Sequence, residues 1–185
     1  MANEKITDRY PWYDVVKGSD LQQGDIFFGC PIAQPTLSAL ENTSSAAQEV
    51  KVVEYNVIVL SQSCDLAIRK DGTCSLDHAI LCPIYSREDM KDDARYKRKK
   101  AWEEARKGRY PSVHVLNECK IGRKFDFMLV DLTEVLSIDV STLREFAEKH
   151  DPRVRLNPPY REHLSQAFAR LFMRVGLPVD IPKFS

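Results

Sequence analysis

The apolar residues of this chain gather in short unbroken runs. Val57-Ile58-Val59-Leu60 and Ala79-Ile80-Leu81-Cys82 are the clearest of them. Runs this short, rich in β-branched side chains and bounded by turn formers, predict strands buried on both faces. Between them lies a polar middle containing Lys70-Asp71-Gly72, and Asp-Gly marks a turn. Tyr55 to Ser86 therefore reads as two core strands joined by a long hairpin-like connection. Further β pattern falls at Leu21 to Ile32, where a turn leads into a strand stopped by Pro31. It returns at Val50 to Leu60, Pro111 to Asn117, Phe125 to Leu132 and Val135 to Ile138. Residues 34 to 49 are small and polar and predict a mobile loop with at most one weak helical turn.

Helical spacing appears in three places. Ser86-Arg87-Glu88-Asp89 fits a capping box with Asp in the acidic position, and strong helix formers follow to Lys107, with Gly108 as the stop. Acids (Glu88, Asp89, Asp92, Asp93) come first and bases later, the order that suits the helix dipole. Ser141 to His150 carries Leu143, Phe146 and Ala147 at helical spacing behind a Ser N-cap. After Asn157-Pro158-Pro159, Tyr160 to Val175 is amphipathic, with Leu164, Phe168, Leu171 and Phe172 on one side. Gly176 caps it and Pro178 ends it.

Composition narrows the class. The 185 residues suit one domain, and a hydrophobic fraction of 43% with 29% charged residues describes an ordinary globular chain. The formal net charge is +0, so any site for a polyanion is a local patch. No apolar run approaches the ~20 residues that span a bilayer. The first residues, MANEKITDRY, lack the apolar core of a signal peptide. A cytoplasmic location is expected, with the five cysteines reduced.

Candidate chemistry lies in three clusters. The polar stretch Ser61-Gln62-Ser63-Cys64-Asp65 begins where a core strand ends, a common place for a site on a rigid scaffold. Its alternative is a loop whose Ser and Asp side chains bond nearby backbone amides. Cys64 becomes a nucleophile only if His78 or His114 folds close to it, because the neighbouring Asp65 opposes thiolate formation. Cys64, Cys74, His78 and Cys82 are all permissible zinc ligands, but without a paired C-x(2)-C knuckle. The alternation of His78, Ile80 and Cys82 on one strand face favours burial instead. In the third cluster, Arg95, Lys97, Arg98, Lys99 and Lys100 make a basic patch interleaved with Tyr96 and Trp102. Such a patch either grips phosphates while an aromatic stacks on a base, or is a solvated helix laid on the core through Met90, Ala94, Ala101, Trp102 and Ala105.

The order of segments resembles the PemK/MazF family. The resemblance rests on Gly24-Asp25-Ile26-Phe27, Val57 to Ser61, Leu81-Cys82-Pro83-Ile84-Tyr85-Ser86, Pro111 to Leu116 and Leu129 to Asp139, over about residues 20 to 175. It implies an SH3-like small β-barrel with a C-terminal helix, frequent homodimers, metal-free cleavage of single-stranded RNA, and silencing by an antitoxin peptide. The family's catalytic positions are not matched. Tyr55-Asn56 stand where the family has Arg, Tyr85 and Ser86 where it has Thr, and only Asp131 remains of its Asp-Gln-x-Arg stretch. Loss of a charge-stabilising donor typically costs about 3–4 kcal/mol of transition-state stabilisation.

The expectation is an α+β chain, residues 1–185 as one domain. The barrel core covers about 20–140, with a helical insertion at 87–108 and a helical part at 141–178. The leading function is a module that binds nucleic acid or a protein partner, in a toxin–antitoxin or phage-defence setting. Gln62, Cys64, Asp65, Tyr85, Trp102 and the basic residues would line its groove, and no cofactor is expected. Alternatives are a divergent metal-independent endoribonuclease using Ser86, Asp131 or His114, an accessory subunit of a larger enzyme, and a small zinc-binding domain.

Overall fold

The structure, a computed structural model, describes residues 10–35 and 50–173. The expected loop beyond residue 35, the end of the last helix, and its cap at Gly176 lie outside the described residues. Among the described residues, eight strands form one antiparallel sheet. They are β1 (Tyr13–Val16), β2 (Asp25–Pro35), β3 (Val50–Val59), β4 (His78–Ser86), β5 (Val113–Leu116), β6 (Met128–Asp131), β7 (Leu136–Asp139) and β8 (Arg153–Leu156). Four helices accompany them: α1 (Ser63–Leu66), α2 (Lys99–Arg106), α3 (Val140–Lys149) and α4 (Tyr160–Phe172). The strand order is β1-β8-β2-β3-β4-β6-β5, with β7 also on β4.

The two leading apolar runs are the centre of the sheet, as their pattern predicted. Val57, Val59, Ala79 and Leu81 pack on one face with Leu143 and Ala147 of α3. Ile58, Cys82 and Ile84 pack on the other with Leu164 of α4. Burial on both faces explains the absence of alternation in Val57 to Leu60; in the second run Ile80 is 41% exposed, so there the expected two-sided burial begins only at Leu81. Each large side chain so covered contributes about 1.5–3 kcal/mol. A third cluster joins Tyr96, Ala101, Trp102 and Ala105 to Val113 and Leu129.

Five expectations need correction. The pairing path is open from β1 to β5, so the sheet does not close into a barrel. Pro31 does not stop its strand; β2 runs to Pro35, with Pro31 opposite Glu54. This is possible because β8 pairs β2 only at Asp25 and Ile26, leaving the outer side at Pro31 without a ladder partner. The insertion at 87–108 is helical only over Lys99–Arg106. Ser86 and Asp89 do exchange the expected capping bonds. The Asp93 carboxylate then accepts the backbone N–H groups of Arg95 and Tyr96, a local turn that competes with helix. The part at 141–178 is not all helical, since Arg153–Leu156 is a strand. The N-cap of α3 is Asp139 rather than Ser141; its carboxylate accepts from the Thr142 N–H. The Ser141 hydroxyl foremost, then the Thr142 N–H and hydroxyl, hold its pKa down to about 2.

The β2–β8 junction is tied by charge. Asp25, fully buried, accepts from Arg153 Nε at 3.0 Å, from Arg155, and from the Gln22 N–H at 3.1 Å. Arg153 also donates to the carbonyls of Gly18 and Asp20. Among the described residues, no helix is long and apolar enough to cross a membrane.

Candidate functional site

The polar SQSCD stretch serves the fold first. The Ser61 hydroxyl accepts the Ile80 N–H at 2.8 Å, and the Ser63 hydroxyl accepts the Gln23 N–H at 3.1 Å. The hydroxyls do bond backbone amides, but of distant segments, 19 and 40 residues away, rather than the nearby ones the sequence alternative had. Cys64 is exposed with its thiol towards Asp65, while Cys74 donates to the Asp65 carbonyl. Gln62 and Cys64 line a shallow cleft of about 350 Å³ with Arg161 and Gln166 of α4. Tyr85 is elsewhere: its hydroxyl donates to Glu134 at 2.9 Å, and burial with that carboxylate raises its pKa. The expected single groove through Gln62, Cys64, Asp65, Tyr85 and the insertion is therefore divided.

The zinc set does not assemble. Cys82 is buried, with burial raising its pKa to about 12, whereas Cys64 and His78 are exposed. Among the described residues, no group of three or more His, Cys, Asp or Glu side chains is placed to hold a metal.

The catalytic candidates are also kept apart. In β5 and β6, His114 lies opposite Val130 and Asp131 opposite Val113, so His114 and Asp131 occupy opposite faces. Ser86 lies on β4, with β6 between it and β5, and its hydroxyl is engaged by Asp89. Asp131 accepts from the Thr133 N–H and hydroxyl.

In the basic segment, Lys97, Arg98, Lys99 and Lys100 are exposed and form no ion pair among the described residues. Arg95 lies over Tyr96 and pairs with Asp93. Trp102 is buried and its indole N–H donates to the Tyr96 carbonyl at 3.0 Å. Its ring belongs to the third core cluster, so no face is open to a nucleobase.

A cleft of about 610 Å³ runs along the outer edge of β5 between the end of α2 and α4. Among the described residues this edge has no strand partner, because β5 ends the sheet. Arg106, Lys107, His163 and Arg170 supply cations or imidazole; Trp12, Tyr110, Phe127 and Tyr160 supply rings. Among the described residues, no Asp or Glu lines it. Trp12 and Tyr160 stack at 3.7 Å between centroids, while Tyr110 and Phe127 are each more than a third exposed. His114 lines the same cleft at only 8% exposure, and its buried Nε2 has no hydrogen-bond partner among the described residues. Burial, with His163 and Arg170 nearby, lowers its pKa to about 4.

Neither a protein-family model nor a curated protein matches this chain.

Of the cleft residues, His114 stood out in the sequence as a candidate, and Arg106 and Lys107 as the end of the basic run. A further signal was present: His163 and Arg170 are two helical turns apart and share one face of α4. Its meaning depends on β5 lying against that face.

Proposed function

We propose that the protein is a binding module for single-stranded nucleic acid, engaging it through the cleft at the β5 edge and the adjoining basic segment. The observation that carries this reading is the lining of the cleft. Cations and aromatic rings converge on one open concavity from which carboxylates are absent. Arg106 and Lys107 pair with Glu103 and Glu104, which tempers their charge, but Arg170 makes no ion pair among the described residues. Rings and cations in one groove are the combination that holds bases and phosphates without sequence-specific chemistry. Lys97 to Lys100 extend the positive surface from the start of α2. Family likeness to PemK/MazF, at the level of segment order rather than barrel closure, is part of the same reading, as is a toxin–antitoxin or phage-defence setting.

The test is fluorescence anisotropy of a labelled single-stranded RNA over a range of salt. Replacing Lys97, Arg98, Lys99 and Lys100 together with Ala should weaken binding and flatten the salt slope by about 0.7 for each phosphate no longer neutralised. An absence of binding at low salt, where phosphate attraction is strongest, overturns the proposal.

A second reading, a metal-independent endoribonuclease, is favoured by two imidazoles sharing this cleft with Arg170. They would supply proton transfer, and the guanidinium would meet phosphorane charge. Cleavage of single-stranded RNA in EDTA that His163→Ala abolishes would establish it.

A further inference from the structure

The cleft of about 350 Å³ between α1 and α4 lies on the other flank of α4 and shares no lining residue with the β5-edge cleft. Among the described residues, each of those lining it is polar or a cysteine. Gln23 lines it at only 4% exposure. Its Nε2 donates to the Leu60 carbonyl at 2.7 Å, and its backbone N–H donates to the Ser63 hydroxyl at 3.1 Å. These bonds fix the carboxamide and leave Oε1 without a partner among the described residues. There, the buried side-chain nitrogen or oxygen that lacks a partner is His114 Nε2. Gln23 Oε1, equally unpartnered, therefore keeps accessible surface in the cleft. An acceptor held in place and unused favours a ligand that donates to it.

Three further features define that ligand. Gln62 and Gln166 are exposed in the same cleft, and their side chains make no hydrogen bond among the described residues. A carboxamide offers donors and an acceptor together, the complement of a peptide group. Arg161 and Glu162 pair at 3.0 Å and set a cation beside an anion. The end of an α-amino acid carries the matching pair, a carboxylate and an ammonium. Cys64 is exposed at this cleft, its thiol on Asp65 Oδ1 at 3.7 Å. Peptide groups, a zwitterionic end and a sulfur occur together in a small γ-glutamyl-cysteinyl peptide. The cleft volume lies at the lower end of the range for small-ligand pockets, which suits such a molecule.

We infer that the α1–α4 cleft is a modification site, at which Cys64 forms a mixed disulfide with a γ-glutamyl-cysteinyl peptide delivered as its disulfide. The Cys64 thiolate attacks one sulfur of that disulfide. A new S–S bond forms as the old one breaks, and the departing peptide thiolate takes up a proton. Cys64 is oxidised and one half of the peptide disulfide is reduced, so no other oxidant is needed. An exposed thiol by itself exchanges with any disulfide. The cleft adds a distinction between disulfides, because one that docks on Arg161, Gln166 and Gln23 gains proximity to the thiol and one without peptide groups does not.

The experiment treats the folded chain with glutathione disulfide or with hydroxyethyl disulfide, which has the S–S bond but neither peptide groups nor charge. Mass spectrometry of digests follows the adduct on Cys64. Each rate is divided by the rate for the urea-unfolded chain, which cancels the intrinsic difference between the reagents. The expected result is a glutathione adduct on Cys64, reversed by dithiothreitol and absent from Cys64→Ser. Its normalised rate should exceed that of hydroxyethyl disulfide at least roughly tenfold, the size of one charge-assisted contact. Arg161→Ala or Gln166→Ala, each checked for a cooperative thermal transition, should lower this preference at least about threefold, with the hydroxyethyl rate unchanged. No adduct, equal normalised rates for the two reagents, or a preference unchanged in both α4 variants refutes the site and leaves Cys64 as an exposed thiol only. The two clefts share no lining residue, so none of these outcomes bears on the nucleic-acid reading.

Discussion

The rings of His114 and His163 meet edge to face, with centroids 5.2 Å apart and planes at 79°. One imidazole is in the sheet and nearly buried; the other is exposed on α4. A proton on His114 is disfavoured by burial first, then by His163 and Arg170. Its folded pKa, about 4, lies below the ordinary value of 6.5. The unfolded chain therefore takes up this proton at higher pH than the folded chain. Stability from this group is complete above about pH 6.5 and is lost as pH falls towards about 4, by on the order of 3 kcal/mol at most. Thermal melts at about pH 7 and about pH 4.5 should show a smaller difference for His114→Phe than for wild type.

Asp25→Asn should be among the most damaging single changes. It removes the buried carboxylate from the Arg153 guanidinium, 2% exposed, and leaves it only Asp151 at 3.6 Å. Removing one partner of a buried pair typically costs about 3–5 kcal/mol. Urea unfolding should show that decrease, with the slope unchanged if the native sheet persists.

Gly24→Ala should also destabilise the β2–β8 junction. Gly24 has φ of +87°, and a Cβ there would lie 3.0 Å from both Cβ and the carbonyl oxygen of Leu156. The clash is with backbone as well as side chain, so it cannot be relieved by rotation alone. A loss above about 1 kcal/mol is expected in the same assay.

Trp102→Phe separates packing from recognition. The variant keeps most of the ring but leaves the Tyr96 carbonyl without its donor, at a cost of about 1–3 kcal/mol. RNA affinity of the folded variant should equal that of wild type. A selective loss of affinity would return this ring to the binding surface.

The cysteines should react in the order of their exposure. A thiol reagent should label Cys64 at once in the native protein and Cys74 more slowly. Cys30 and Cys82 are buried, and burial raises each thiol's pKa to about 12. Mass spectrometry should find them labelled only after unfolding, since the thiolate is the reactive form.

Local pattern alone determined the central strands, because a run such as Val57 to Leu60 can be satisfied only by cover on both faces. It also located the turn at Gly72 and the helix from Tyr160, where periodicity and breakers agree. The short partner strands were less legible: β8 has just four residues, Arg-Val-Arg-Leu, and its arginines look solvent-facing until Asp25 is placed beside them. The basic segment misled for a related reason, since Asp93 turns the backbone and diverts it from the helix that its composition suggests. The cleft belonged wholly to tertiary structure. Trp12, His114 and Arg170 are distant in the chain and meet only because β5 ends the sheet and α4 packs beside it. Side-chain periodicity records which face of an element is covered; it carries no record of which distant element does the covering.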